Sequence, residues 1–154
     1  MRQFIRENGL NFSIILVAAL IASATFASHG VHDEGVQKRM ATMAAAGGAL
    51  QTLGDMIGGR AIFDRARAKT ARGDLIRATR AIPKRFRRPH SDPLSAARPT
   101  IWLQWKDFRS KAKEAQRASR ALDVGRLEDL RKTLPRLVKA CLACHQTYRS
   151  GPNS

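Results

Sequence analysis

The sequence is poor in aromatic residues, with one Tyr, two Trp and six Phe in 154 positions. A core built from it must rest on aliphatic side chains and on whatever else the chain encloses. Only two Cys are present, which excludes a disulfide-rich scaffold. Acidic residues are scarce too. Twelve Asp+Glu stand against 28 Lys+Arg, giving a formal net charge of +16 and a pI near 11.4. Period-two alternation of β-branched residues is almost absent from Asp33 onward, so strands are not expected. Hydrophobic residues nonetheless make up 44%, too many for a disordered basic tail. The length fits one domain, or one domain behind a processed leader.

A long apolar run is also missing. The stretch Leu10 to Ala22 falls short of the roughly 20 residues a membrane span needs. Arg2 and Arg6 precede it, and Ala22-Ser23-Ala24 and Thr25-Phe26-Ala27 follow with small residues at the spacing a signal peptidase accepts. Residues 1–27 therefore read as a signal peptide, with an uncleaved N-terminal anchor as the alternative. Either reading exports the body of the protein, residues 28–154. Removing Arg2, Arg6 and Glu7 lowers the net charge only from +16 to +15. The basicity belongs to the exported domain.

That domain is rich in Ala, Leu, Arg and Lys, which favours helices. The first is predicted from an Asp33 N-cap to Gly58-Gly59, with Val36, Met40, Met43, Gly47, Leu50, Gly54 and Ile57 on one face. A second runs from Asp64 to Ile82, stopped by Pro83, with Ala66, Thr70, Leu75, Ala78 and Ile82 inward. Residues 83–100 hold four prolines and read as a long loop. A third helix carries Trp105, Phe108, Ala112, Ala115, Ser119 and Leu122 at 3,4 spacing until Gly125. The fourth has the clearest stripe: Leu127, Leu130, Leu134, Leu137, Cys141, Cys144 and Tyr148. Pro135 inside it marks either a kink or a junction of two helices. An all-α, antiparallel four-helix bundle is the simplest assembly. Its inward faces, full of Ala, Gly, Ser and Thr, leave room for something the chain does not supply.

Cys141-Leu142-Ala143-Cys144-His145 accounts for both cysteines and has the C-x-x-C-H form of c-type haem attachment. Two thiols one helical turn apart can reach two vinyl groups on one porphyrin edge as thioethers. The following imidazole is then placed to ligate the iron. Rival readings fit less well. A thioredoxin-like dithiol needs a neighbouring strand. A zinc site lacks a fourth ligand, since His29, His32 and His90 lie elsewhere in the chain. A disulfide between residues one turn apart would staple almost nothing.

The chain resembles the cytochrome c′-type family, in which the haem motif lies near the C-terminus of a bundle. The resemblance spans roughly residues 33–149 and rests on three pieces of sequence. They are Arg39-x-x-x-Met43, the Pro99–Trp102 and Trp105-x-Asp107-Phe108 stretch, and Cys141-x-x-Cys144-His145-x-x-Tyr148-Arg149. It implies a left-twisted antiparallel bundle, often a homodimer, holding one haem c through Cys141 and Cys144. It further implies His145 as fifth iron ligand, Arg149 beside it and Arg39 near the propionates. The plain alternative for Arg39 is a solvated surface charge. By the same resemblance, Met43 would take the position facing the distal side of the iron, an apolar plug in five-coordinate members and a thioether sixth ligand in low-spin relatives. Met40 is the lesser candidate, and both methionines also suit simple core filling.

Three functional readings follow. The first is a periplasmic haem c protein passing single electrons. The second is a five-coordinate protein binding nitric oxide or carbon monoxide. The third is a helical bundle without haem, with both thiols unmodified. No catalytic constellation is visible, because the metal would occupy His145. The charge suits an acidic redox partner or weak contact with anionic membranes, both sensitive to salt. Nucleic acid is not expected as a partner, given export and the lack of any nucleic-acid-binding motif.

Overall fold

The computed structural model describes residues 30–151. The leader reading of residues 1–27 lies outside the described residues, as does His29. No helix among the described residues is long and apolar enough to cross a membrane.

Five helices follow in order: α1 (Glu34–Ile57), α2 (Arg65–Arg85), α3 (Thr100–Leu103), α4 (Trp105–Arg120) and α5 (Leu127–Tyr148). The four long ones form the bundle. α1 packs on α2, α2 on α4, α4 on α5, and the ring closes between α5 and α1, the sparsest of the four contacts. Helices adjacent in sequence are thus neighbours in space, as in an up-and-down bundle.

Local chemistry sets most of the boundaries. The Asp33 carboxylate accepts from the Val36 N–H at 2.8 Å, and that of Asp64 from the Arg67 N–H at 2.9 Å. These are the expected N-caps, each satisfying a donor that the first turn cannot. Gly59, at φ 72°, turns the chain out of α1.

One proline expectation is corrected and the other is narrowed, since a continuous helix excludes a junction at Pro135. Pro83 does not stop α2, which continues to Arg85. Ile82 and Phe86, buried on either side of it, hold the last turn in place, and Phe86 N–H still reaches the Ile82 carbonyl at 3.0 Å. Pro135 lies within one continuous α5. It and Arg131, whose carbonyl loses its donor, are both exposed, while Leu134 and Leu137 are buried. In both places tertiary burial outweighs one missing backbone bond. The third long helix also ends at Arg120, before Gly125, with Leu122 and Val124 buried in the connection that follows.

The inward register of α1 differs from the sequence reading. Val36, Arg39, Ala49, Leu53 and Met56 are buried, whereas Gly47 is exposed and Met40 is 48% exposed. An inward arginine displaced the apolar stripe by part of a turn. In α2 the buried face is Ala68, Ala71, Leu75, Ala78, Thr79 and Ile82, so Ala66 and Thr70 point outward.

The core has two parts. One gathers Leu53, Met56, Leu75, Leu130, Leu134 and Leu137 with alanines of α1, α2, α4 and α5. Each fully buried Leu there contributes roughly 1.5–3 kcal/mol. The other gathers Ile82, Phe86, Ile101, Phe108, Ala112 and Tyr148, with Met43, Trp102, Trp105 and Cys144 against it. Every aromatic residue among the described residues except Phe63 sits in this second part. The sparse aromatics are concentrated at one end. Between α2 and α4 the buried hydroxyls of Thr79 and Ser119 bond at 3.0 Å, so this polar pair is satisfied.

Candidate haem site

The C-x-x-C-H pentad occupies the C-terminal half of α5, where helical geometry puts Cys141 and Cys144 one turn apart on the inward side. Cys141 packs against the first core cluster and Cys144 against the second. Both are free and half-buried. Burial pushes the Cys141 thiol above its usual value, and it pushes Cys144 up to about 11, with Lys111 pulling the other way. Both sulfurs are therefore held as neutral thiols.

Cys144 and His145 open onto a cavity of about 260 Å³ at the aromatic end of the bundle. α1 lines it through Val36, Arg39, Met40 and Met43. Phe86, Ile101, Phe108 and the Leu94 to Ala97 strip complete its lining. Burial first, and then the positive charge of Arg149, lowers the His145 pKa. Such a ring is kept neutral at physiological pH, the form in which imidazole binds a metal.

Arg149 also lines this cavity, just past the end of α5. Its backbone forms an isolated bridge with Ala97. Flanking it, Arg98 N–H donates to the Tyr148 carbonyl at 3.0 Å and Ser150 N–H to that of Ala96 at 2.8 Å. The loop lining the cavity is thereby fixed to the haem-motif helix.

Arg39 is not a surface charge. It is 2% exposed, and burial lowers its pKa. Nε donates to the Arg85 carbonyl at 3.2 Å, Nη1 to that of His90 at 3.1 Å, and Nη2 to that of Arg88. The guanidinium also stacks 5.1 Å from the Phe86 ring centre and 5.0 Å from that of Trp102. Five N–H donors are available to arginine, so this clasp leaves donors for a carboxylate in the cavity.

The residues present thus fit a covalently held porphyrin. The Cys144 thiol, a neutral imidazole, methionine thioethers and apolar and aromatic side chains line the cavity, and two arginines are available for the acidic edge. All six site residues expected from sequence come together here except Cys141, which lies one turn back toward the other core cluster. Sequence reasoning missed Phe86 and the Leu94–Ala97 strip. Phe86 had a signal: it is the one uncharged residue in Lys84-Arg85-Phe86-Arg87-Arg88. The strip, lying in a proline-rich loop, had none.

The family model for Cytochrome C′ matches residues 34–149. Cytochrome c-556 from Agrobacterium fabrum (strain C58 / ATCC 33970) is 32% identical over 141 residues, covering 88% of this chain and 90% of that protein. In fold, the chain is similar to oxidised cytochrome c556 from R. palustris, with a TM-score of 0.70 at 21% identity over 79% of this chain and 99% of the other. It is also similar to the nitric oxide complex of a mutant cytochrome c prime from Alcaligenes xylosoxidans, with a TM-score of 0.67 at 25% identity, covering 76% and 94%. The match over nearly the whole described region, on a bundle whose last helix carries C-x-x-C-H, places this chain in the cytochrome c′ family, as a four-helix-bundle protein with one covalent haem c.

Proposed function

We propose that the protein is an exported single-electron carrier, with haem c attached through Cys141 and Cys144 and the iron held between His145 and Met43. One observation carries this reading: Met43 of α1 and His145 of α5 line the same cavity. The bound haem supplies the one-electron change at iron, and the chain sets where and how easily it happens. A neutral imidazole on one side and a thioether on the other favour a raised reduction potential. Phe86, Ile101 and Phe108 give the site an apolar lining. Arg39 and Arg149 offset the charge of the propionates. The leader-like residues 1–27 and the attachment chemistry both support a periplasmic location.

A gas-binding protein is the second reading, favoured by the likeness to a nitric oxide complex. It shares every residue of the site except the distal one. With Met43 displaced from the iron, the same apolar wall would admit a small neutral diatomic more readily than a charged ligand. Absorption spectra of the reduced protein with and without carbon monoxide separate the two. A carrier ligated by Met43 gives a low-spin spectrum that carbon monoxide changes little. A high-spin spectrum that carbon monoxide converts at once favours the gas-binding reading.

A further inference from the structure

Lys84, Arg85, Arg87 and Arg88 close α2 and enter the loop beyond it, all four exposed. None of the four forms an ion pair among the described residues. With Lys38 they line a hollow of about 350 Å³ whose only carboxylates are Asp33 and Glu34. Those two are engaged: Glu34 pairs with Lys38, and Asp33 caps α1 and faces His90 at 3.1 Å. The excess positive charge is therefore uncompensated and concave.

This hollow shares its wall with the haem cavity. Phe86, in the middle of the basic run, turns inward to line the cavity. Arg39, also in the cavity wall, grips the carbonyls of Arg85 and Arg88 from beneath. Trp102 Nε1 donates to the Phe86 carbonyl at 2.9 Å. The cations thus stand on backbone that is pinned at three carbonyls, not on a free loop. A partner seated on them lies one side chain from the cavity.

We propose that the hollow bounded by Lys38 and Lys84 to Arg88 is the docking surface for an acidic redox protein. The proposal rests on the electron-transfer reading above. Each productive encounter would move one electron between the two proteins, with no bond made or broken and no proton transferred. Charge complementarity at such a rim acts mainly on encounter and orientation, and salt weakens it.

The test uses the haem-loaded protein and a plant-type [2Fe–2S] ferredoxin as the acidic one-electron donor. Two triple variants remove the same charge. One is Lys84→Gln with Arg87→Gln and Arg88→Gln. The other is Arg65→Gln with Arg67→Gln and Lys69→Gln, exposed residues at the far end of the same helix, about 30 Å away. Calorimetric binding of oxidised ferredoxin and reduction by reduced ferredoxin are measured at low ionic strength. The first variant should bind and react about tenfold more weakly, and the second should stay within about twofold of the parent. Equal losses in both would show diffuse net charge and overturn the proposal, as would no loss in the first. It is also overturned if the first variant keeps ferredoxin binding but loses sedimentation with phosphatidylglycerol vesicles, which would assign the hollow to membranes. Patch-dependent binding with no reduction in any variant would support the docking surface and refute the electron-transfer reading.

Discussion

The Tyr148 hydroxyl lies 2.6 Å from the Asp107 carboxylate and donates to it, tying the last turn of α5 to the first turn of α4 beside the cavity. Its ring meets that of Phe108 edge-on, with centres 5.3 Å apart. Burial, and then the hydrogen bond to Asp107, pushes the phenol up to about 12. A group whose pKa is raised by folding stabilises fully below its unfolded value and loses that contribution as pH rises through the folded one. Wild-type protein should therefore lose stability from pH 10.0 to about 12 through this residue. Tyr148→Phe should cost about 0.5–1.5 kcal/mol near neutrality and lack that alkaline component. Urea titrations at the two ends of the window measure both effects.

Arg39 ties three carbonyls of the α2 end and the following loop to α1. Arg39→Met removes all three donors and both ring contacts, and should destabilise the protein by about 2–4 kcal/mol. Arg39→Lys keeps a charge but not the planar fork, so it should recover less than half of the loss. Chemical denaturation of the three proteins checks the ranking.

Asp33 joins the start of α1 to His90 of the loop. The Val36 N–H, aided by His90, holds its carboxyl below the ordinary value. That contribution is present above the unfolded pKa of 3.8 and is lost as pH falls through the folded value. Asp33→Ala should lower the melting temperature at neutral pH and flatten its decline in acid, and Asp33→Asn should retain most of the cap. Melting curves from neutral pH to below the carboxylate range show whether it does.

Both cysteines are placed to form thioethers, and each should contribute one. Cys141→Ser and Cys144→Ser should each leave a singly attached haem, and the double variant none that survives denaturation. Haem staining of denaturing gels and the intact mass of the purified chain measure this. Retention of covalent haem in the double variant would exclude the pentad as the attachment point.

The parts of the fold visible in sequence are those governed by local chemistry. Asp33 and Asp64 announce helix starts because carboxylates satisfy orphan N–H groups. The α5 stripe is visible because Leu recurs at 3,4 spacing, and the pentad because its chemistry demands adjacency. Three features were hidden because tertiary contacts decide them. Arg39 is buried only because three carbonyls from residues 85–90 converge on it, an alignment that no window of α1 contains. Its inward turn then leaves Met40 half exposed where a simple stripe would bury it. Pro83 sits inside a helix because the apolar residues around it are buried, which local propensity does not register.

The account stands most directly on Met43 sharing one cavity with His145. Its decisive measurement is the absorption spectrum of the oxidised protein before and after Met43→Ala, with Met40→Ala as the control. The wild type and the Met40 variant should be low-spin, and the Met43 variant should turn high-spin and bind carbon monoxide readily once reduced. A high-spin wild type, or a spectrum that Met43→Ala leaves unchanged, would contradict it.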